Sequence, residues 1–195
     1  MTPDGKNRSG RRSARTPTRT LRWGGIVSLL LAAAIVTWGL GQRGPELPPD
    51  FTLVAYDGQE RLGGDEVRFH QIVGQGTPVV LNFWAASCPP CREEMPGFQQ
   101  VADLYGDELL ILGVDVGTFT FLGTHDEARA FLEAYEIHYP TAYAVDGSVV
   151  RDYEVRGMPT TVFFDANGRT VAKHTGFLPM QEFYAEVDAL VRGGN

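Results

Sequence analysis

The stretch PVVLNFWAASCPPCREEMPGFQQVADLY, residues 78–105, carries two different periodicities joined at a pair of cysteines. Pro78 to Ala85 is apolar and rich in branched side chains, the pattern of a central strand buried on both faces. From Glu93 to Tyr105, apolar or small residues recur at Met95, Phe98, Val101, Ala102 and Tyr105, the spacing of one helix face. Cys88-Pro89-Pro90-Cys91 lies at the junction, where a cysteine can serve as the N-cap of the helix that follows. Only a thiolate attacks a disulfide, and the positive end of a helix stabilises it, so Cys88 reads as the nucleophile. Cys91, in the first turn and more buried, reads as the resolving thiol that releases the product from a mixed disulfide. Pro90 would occupy the second helical position without an N–H, so only the Cys91 amide is left to face the Cys88 sulfur. A moderately stabilised thiolate makes a moderately oxidising disulfide, which points to a reductant or a near-neutral exchanger. A structural bridge or half of a metal site are the bland alternatives.

Outward from this junction the chain alternates. Phe51 to Ala55 reads as a short strand, Leu109 to Val116 as a second buried strand, His125 to Tyr135 as a helix and Thr141 to Ala144 as another strand. The order β-α-β-α-β makes parallel pairing the default. Thr160 to Asp165 and Arg169 to Thr175 flank Asn167-Gly168, so they read as a hairpin closed by a two-residue turn. Met180 to Val191 closes the chain as an amphipathic helix through Phe183, Tyr184, Val187, Leu190 and Val191. The fold class is therefore α/β, with a central mixed sheet flanked by helices.

The 195 residues carry a net charge of -7, unevenly spread. Residues 1–22 hold seven basic side chains against Asp4, and the remainder balances at -13. So acidic a body argues against nucleic-acid binding by the folded part, which needs a clustered cationic face. Between Trp23 and Leu40 lie 18 uncharged residues, WGGIVSLLLAAAIVTWGL. As a helix they span about 27 Å, close to a hydrocarbon core of about 30 Å, with a tryptophan at each end and the positive flank on the N-terminal side. Four parts follow: a basic cytoplasmic tail (1–22), a single transmembrane anchor (23–40), a Gly/Pro-rich linker (41–50) and an extracytoplasmic domain (51–195). A cleaved signal sequence is the competing reading, weakened by the poor small-x-small match at Gly39-Leu40-Gly41.

FWAASCPPCREEMP together with VRGMPTTVFFDANGR resembles the membrane-anchored TlpA/ResA-type branch of the thioredoxin superfamily, over roughly residues 48–192. The resemblance implies a thioredoxin-like fold with a helix-strand insertion at about Gly117 to Arg151. It also implies a thiol-disulfide oxidoreductase whose only redox centre is the Cys88–Cys91 pair, with no cofactor and no metal. It makes Pro159 a cis-proline beside the cysteines, with Met158 presenting its backbone to an extended client; Trp84 joins these two as a substrate-binding candidate, although its place at a strand end favours the core. Glu94 matches the acidic residue after the cysteines and could exchange the proton of Cys91; its alternative is a solvated acid in a first helical turn, as Glu93 is read. Asn82 stands where cytosolic thioredoxins carry a buried aspartate. Two departures are Ser87, where a second tryptophan is usual, and Met158, where a β-branched residue is usual. Pro96 is expected to kink the helix, and the histidines at 70, 125, 138 and 174 read as surface residues.

Partners implied are a disulfide-containing client protein, apocytochrome c among the candidates, and a membrane thiol carrier that supplies electrons, because the chain has no dinucleotide fingerprint. Three other readings stay open: the oxidase direction, a copper-delivery module using Cys88, Cys91 and His174, and a peroxidase suggested by PDFTL at 49–53. The last conflicts with the P-x-x-x-T-x-x-C pattern, whose Pro and Thr positions hold Leu81 and Ala85.

Overall fold

The computed structural model describes residues 47–193; the basic tail, the apolar segment 23–40 and most of the linker lie outside them. Among the described residues no helix is long and apolar enough to cross a membrane.

The strands are β1 (Thr52–Asp57), β2 (Glu66–Arg68), β3 (Val79–Trp84), β4 (Leu110–Asp115), β5 (Thr141–Ala144), β6 (Thr160–Phe164) and β7 (Thr170–Thr175). The helices are α1 (Gln59–Leu62), α2 (Pro89–Tyr105), α3 (Gly117–Thr120), α4 (His125–Ala134), α5 (Ser148–Asp152) and α6 (Met180–Gly193). The described strands form one mixed sheet in the order β2-β1-β5-β4-β3-β6-β7. The expected parallel core is present: β3 runs parallel to β4, with Val79 opposite Leu110 and Trp84 opposite Asp115, and β4 runs parallel to β5. β6 joins β3 antiparallel, and β7 joins β6 in the same sense.

β3 is buried throughout because both its faces are covered. Val80 and Trp84 face a core built with Met95 and Phe98 of α2 and Phe183 and Leu190 of α6, in which the Phe98 and Phe183 rings stack at 4.0 Å. Val79, Leu81 and Phe83 face the other core, with Leu53, Phe69, Val114, Tyr153 and Phe164. Period two along β3 thus assigns Asn82 to the face of α2.

The hairpin differs from its expected turn. Asp165 N–H donates to Arg169 O and Gly168 N–H to Asp165 O, leaving a three-residue loop, with a register irregularity between Phe163 and Phe164. Only Gly168 takes a positive φ, 81°, while Asp165 Oδ1 accepts from the amides of Asn167 and Arg169. This is a type I turn closed by a glycine bulge: the Asp165 side chain stabilises a turn that does not require a positive φ at Asn167. α2 runs through Pro96 within a single helix.

Candidate active site

The site is built where β3 ends. Ala85 and Ala86 are buried, Ser87 is exposed, and Cys88 is the N-cap of α2 with Pro89 and Pro90 as its first two residues. Cys88 and Cys91 are joined in a disulfide with Cα atoms 5.3 Å apart, so the site stands in its oxidised form. Cys91 N–H donates to Cys88 Sγ at 3.3 Å, the single amide contact that the proline pair leaves available. Cys88 retains 3% of its surface and Cys91 none. Cys88 belongs to a buried cluster against which Leu122 and Met158 pack.

α2 directs Cys91, Glu94, Met95 and Phe98 inward on one face. Glu94 is 1% exposed, whereas Glu93 lies at the surface. Its Oε1 accepts from Asn82 Nδ2 at 2.9 Å and its Oε2 from the Leu178 amide at 3.2 Å. Asn82 Nδ2 also donates to Thr161 Oγ1 at 3.0 Å, so β3, β6 and the loop before α6 converge on one carboxyl group of α2. Burial pushes Glu94 up from 4.5 to about 7, against the pull of these two donors. A carboxyl group near neutrality, three residues along the helix from Cys91, is suited to exchanging a proton.

The Met158–Pro159 peptide bond is cis. Pro159 is buried and Met158 half-buried, and Pro159 O accepts from Gly176 N–H at 2.8 Å. Among the described residues the Met158 backbone pairs with no other backbone group, so it remains available to an incoming strand. Trp84 requires a correction as a substrate-binding residue. It is fully buried at the end of β3, 5.4 Å from the Phe131 ring, and offers a client no surface.

Two features escaped sequence reasoning. The Val116–Thr124 loop braces the cysteine loop, with Ser87 N–H donating to Leu122 O at 2.8 Å. At its base, buried Asp115 accepts from Gly117 N–H at 2.7 Å and from Tyr56 O–H at 2.8 Å. His125 corrects the surface reading: its Nδ1 lies 2.7 Å from Tyr56 Oη, and its ring lies on Tyr143 at 4.1 Å. Burial raises Asp115, opposed by these hydrogen bonds. Nothing local in the sequence announces residues 56, 115 and 125 as neighbours. Among the described residues no group of three His, Cys, Asp or Glu side chains forms a metal-binding cluster, and His174 lies instead 3.6 Å from Glu186.

A family model described as AhpC/TSA matches residues 46–173. The chain belongs to the AhpC/TSA family. It is similar over 177 residues, at 28% identity, to the thioredoxin-like protein YneN of Bacillus subtilis, covering 86% of this chain and 97% of that protein. It is 35% identical over 120 residues to the thiol-disulfide oxidoreductase ResA of Oceanobacillus iheyensis, which covers 62% of this chain and 58% of that relative. Among solved structures, a secreted disulfide oxidoreductase of Mycobacterium tuberculosis, homologous to Escherichia coli DsbE, superposes with a TM-score of 0.57 at 26% identity. It covers 72% of this chain and 96% of its own. These likenesses, with the Cys88–Cys91 disulfide at a strand-to-helix junction, make this AhpC/TSA member an α/β thioredoxin-like thiol-disulfide oxidoreductase of the TlpA/ResA type.

Proposed function

We propose that the chain is a single-pass membrane protein whose extracytoplasmic domain reduces disulfides in exported clients. The observation that carries the direction is the lone amide donor on Cys88 Sγ: two prolines remove the other helical N–H groups, which keeps the thiolate moderately stabilised and the dithiol a willing electron donor. The 18-residue apolar segment behind a basic tail supports the anchor.

In the reaction the Cys88 thiolate attacks one sulfur of the client disulfide, forming a mixed disulfide and releasing the other client sulfur as a thiolate. Cys91 passes its proton to the Glu94 carboxylate and attacks Cys88 Sγ. The client leaves with both sulfurs reduced, and two electrons have been exchanged for the Cys88–Cys91 bond. The client strand lies along the Met158 backbone while its sulfur meets Cys88. A membrane thiol carrier restores the dithiol, and the haem-attachment cysteines of apocytochrome c are a candidate client.

Alkylation trapping in intact cells tests the direction. The pair is expected mostly reduced, and a mostly oxidised pair would establish the oxidase direction instead. In parallel, Cys88→Ala should abolish insulin reduction, whereas Cys91→Ala should accumulate mixed disulfides; the reverse pattern would exchange the two roles.

A further inference from the structure

Tyr56 Oη has two partners and a single hydrogen. It lies 2.8 Å from Asp115 Oδ2 and 2.7 Å from His125 Nδ1, and Nδ1 is 3.4 Å from the same carboxyl oxygen. The three side chains come from β1, the end of β4 and the start of α4. When the Tyr56 O–H donates to a charged Asp115, His125 must carry a hydrogen on Nδ1 to donate to Oη. When it donates to Nδ1 instead, the second hydrogen must come from Asp115 as a carboxylic acid. Passing from the first array to the second moves two hydrogens: Nδ1–H breaks as a new Oη–H forms, and the old Oη–H breaks as Oδ2–H forms. Tyr56 keeps an O–H in both, since burial and the adjacent Asp115 push its phenol up. Asp115 is 1% exposed while His125 keeps 35% of its side chain in water, so a proton taken up at the imidazole has a path to the buried carboxyl group. Around the cluster, Arg129 lies over the Tyr56 ring at 5.1 Å, and the Tyr143 ring of β5 lies 4.1 Å from His125 and 5.4 Å from Tyr56. Glu127 accepts from the Thr124 amide at 2.8 Å, and Asp57, next on β1, pairs with His138 at 3.6 Å.

The other oxygen of Asp115 leads toward the cysteines. Oδ1 accepts from Gly117 N–H at 2.7 Å, Gly117 O accepts from Leu122 N–H at 3.0 Å, and Leu122 O accepts from Ser87 N–H at 2.8 Å. Three hydrogen bonds linked through Gly117 and Leu122 thus run from the buried carboxyl group to the residue before Cys88. A charged acceptor makes the first of them roughly twice as strong as a neutral one, and bonds in a chain polarise one another. Burial raises Asp115, opposed by its hydrogen bonds with Gly117, Tyr56 and His125, so the charge that strengthens this chain is sustained by the same partners.

We propose that Tyr56, Asp115 and His125 form a proton-sharing clamp on the Val116–Thr124 loop, and that Asp115 is a positioning residue for exchange at Cys88, holding the Ser87 amide most firmly when it is charged. The proposal rests on the reading of Cys88 as nucleophile and adds a second acidic group, remote from the sulfurs, that acts on the exchange through backbone hydrogen bonds alone. It assigns Tyr56 the task of passing the proton and His125 that of taking it from water.

Asp115→Asn separates charge from shape. The Gly117 N–H fixes the amide oxygen toward itself, so the amide nitrogen faces Tyr56 Oη as a donor, Tyr56 turns its O–H to Nδ1, and the imidazole hydrogen moves to Nε2. Nitrogen-15 NMR of the histidine-labelled full chain at pH 9, with the resonances assigned through His125→Gln, reads this order. Nδ1–H is expected in the parent and Nε2–H in the variant. An Nε2–H imidazole in the parent would overturn the clamp whether or not the variant folds, and so would an unchanged tautomer in the folded variant. In single turnover against 2-hydroxyethyl disulfide, the reduced variant is expected to be about three-fold slower than the parent at pH 9 and to approach it at pH 5, where Asp115 of the parent holds a proton. The variant-to-parent ratio cancels the ionisation of the thiols and of Glu94, which both proteins share. A ratio constant from pH 5 to pH 9 would overturn the positioning role, since a merely structural residue shifts the rate equally throughout. Failure of the parent to reduce this disulfide at any pH would overturn the reading of Cys88 as nucleophile, while the imidazole spectra would still decide the clamp.

Discussion

Asn82 Nδ2 lies 2.9 Å from Glu94 Oε1, joining the central strand to the helix that begins at the redox pair. Nδ2 also donates to Thr161 Oγ1 at 3.0 Å, so the amide is held by both β6 and the carboxyl group it meets, while Asn82 Oδ1 is buried without a partner.

The pH dependence follows from the raised value of about 7, which burial causes. Between 4.5 and 7 the folded chain binds a proton that the unfolded chain has lost, so stability falls as pH rises through this window. Above it the buried charge costs up to about 3 kcal/mol. Glu94→Gln should therefore be more stable than the parent at pH 8, with the difference shrinking toward pH 4.5. It should also remove an inflection near pH 7 from the rate of thiol exchange. Thermal melts and single-turnover rates across pH 4 to 9 measure both effects, and parallel profiles for the two proteins would refute the proton-exchange role.

Pro90 offers a test of the amide argument. Pro90→Ala restores an N–H at the second helical position, adjacent to the Cys91 N–H that already meets Cys88 Sγ. One added donor should lower the Cys88 thiol and make the disulfide more oxidising by roughly 30 mV, the two-electron equivalent of about 1.4 kcal/mol. Equilibration against a thiol buffer reads the potential, and a value equal to or below the parent's would show that the second amide does not reach the sulfur.

Residues 78–116 were legible because β3 and β4 are buried on both faces and therefore read as unbroken apolar runs, while α2 shows a single inward stripe. β2 contributes three residues with Val67 alone buried, and α1, α3 and α5 span only four or five residues, too few to establish a period. Asn167-Gly168 marked the hairpin loop correctly but not its type, since the Asp165 side chain decided the geometry. At the site, Cys88, Cys91 and the cis bond at Pro159 followed from the local pattern and its resemblance. The company of His125, by contrast, arises from β1 and β4 meeting the start of α4, with Tyr56 Oη 2.7 Å away, and no local signal encodes that meeting.

Met158 packs on both cores, and Cys88, in one of them, is almost fully covered. If its side chain limits access, Met158→Ala should accelerate reduction of the Cys88–Cys91 disulfide by dithiothreitol about three-fold or more, since exchange rates depend on approach to the sulfur. Stopped-flow tryptophan fluorescence follows the reaction. A rate unchanged by the truncation would assign the cover to the backbone of the proline loop.

Gly117 tests whether the neighbouring loop positions the cysteine loop. A Cβ at this position would lie 2.9 Å from Asp115 Oδ1, 3.2 Å from Gly123 O and 3.4 Å from Ala85 Cβ. Asp115 cannot swing away cheaply, because Tyr56 O–H and the Gly117 amide both hold its carboxylate. Nor can Gly123 O retreat freely, since it follows the Leu122 carbonyl that accepts from Ser87. Gly117→Ala should therefore cost about 1–3 kcal/mol and displace the loop that supports Ser87. The displacement should appear as slower exchange at Cys88, measured under conditions where the variant is fully folded. Full stability would mean that the loop accommodates a methyl group without moving, and loss of stability with an unchanged exchange rate would separate the loop from the positioning of Cys88.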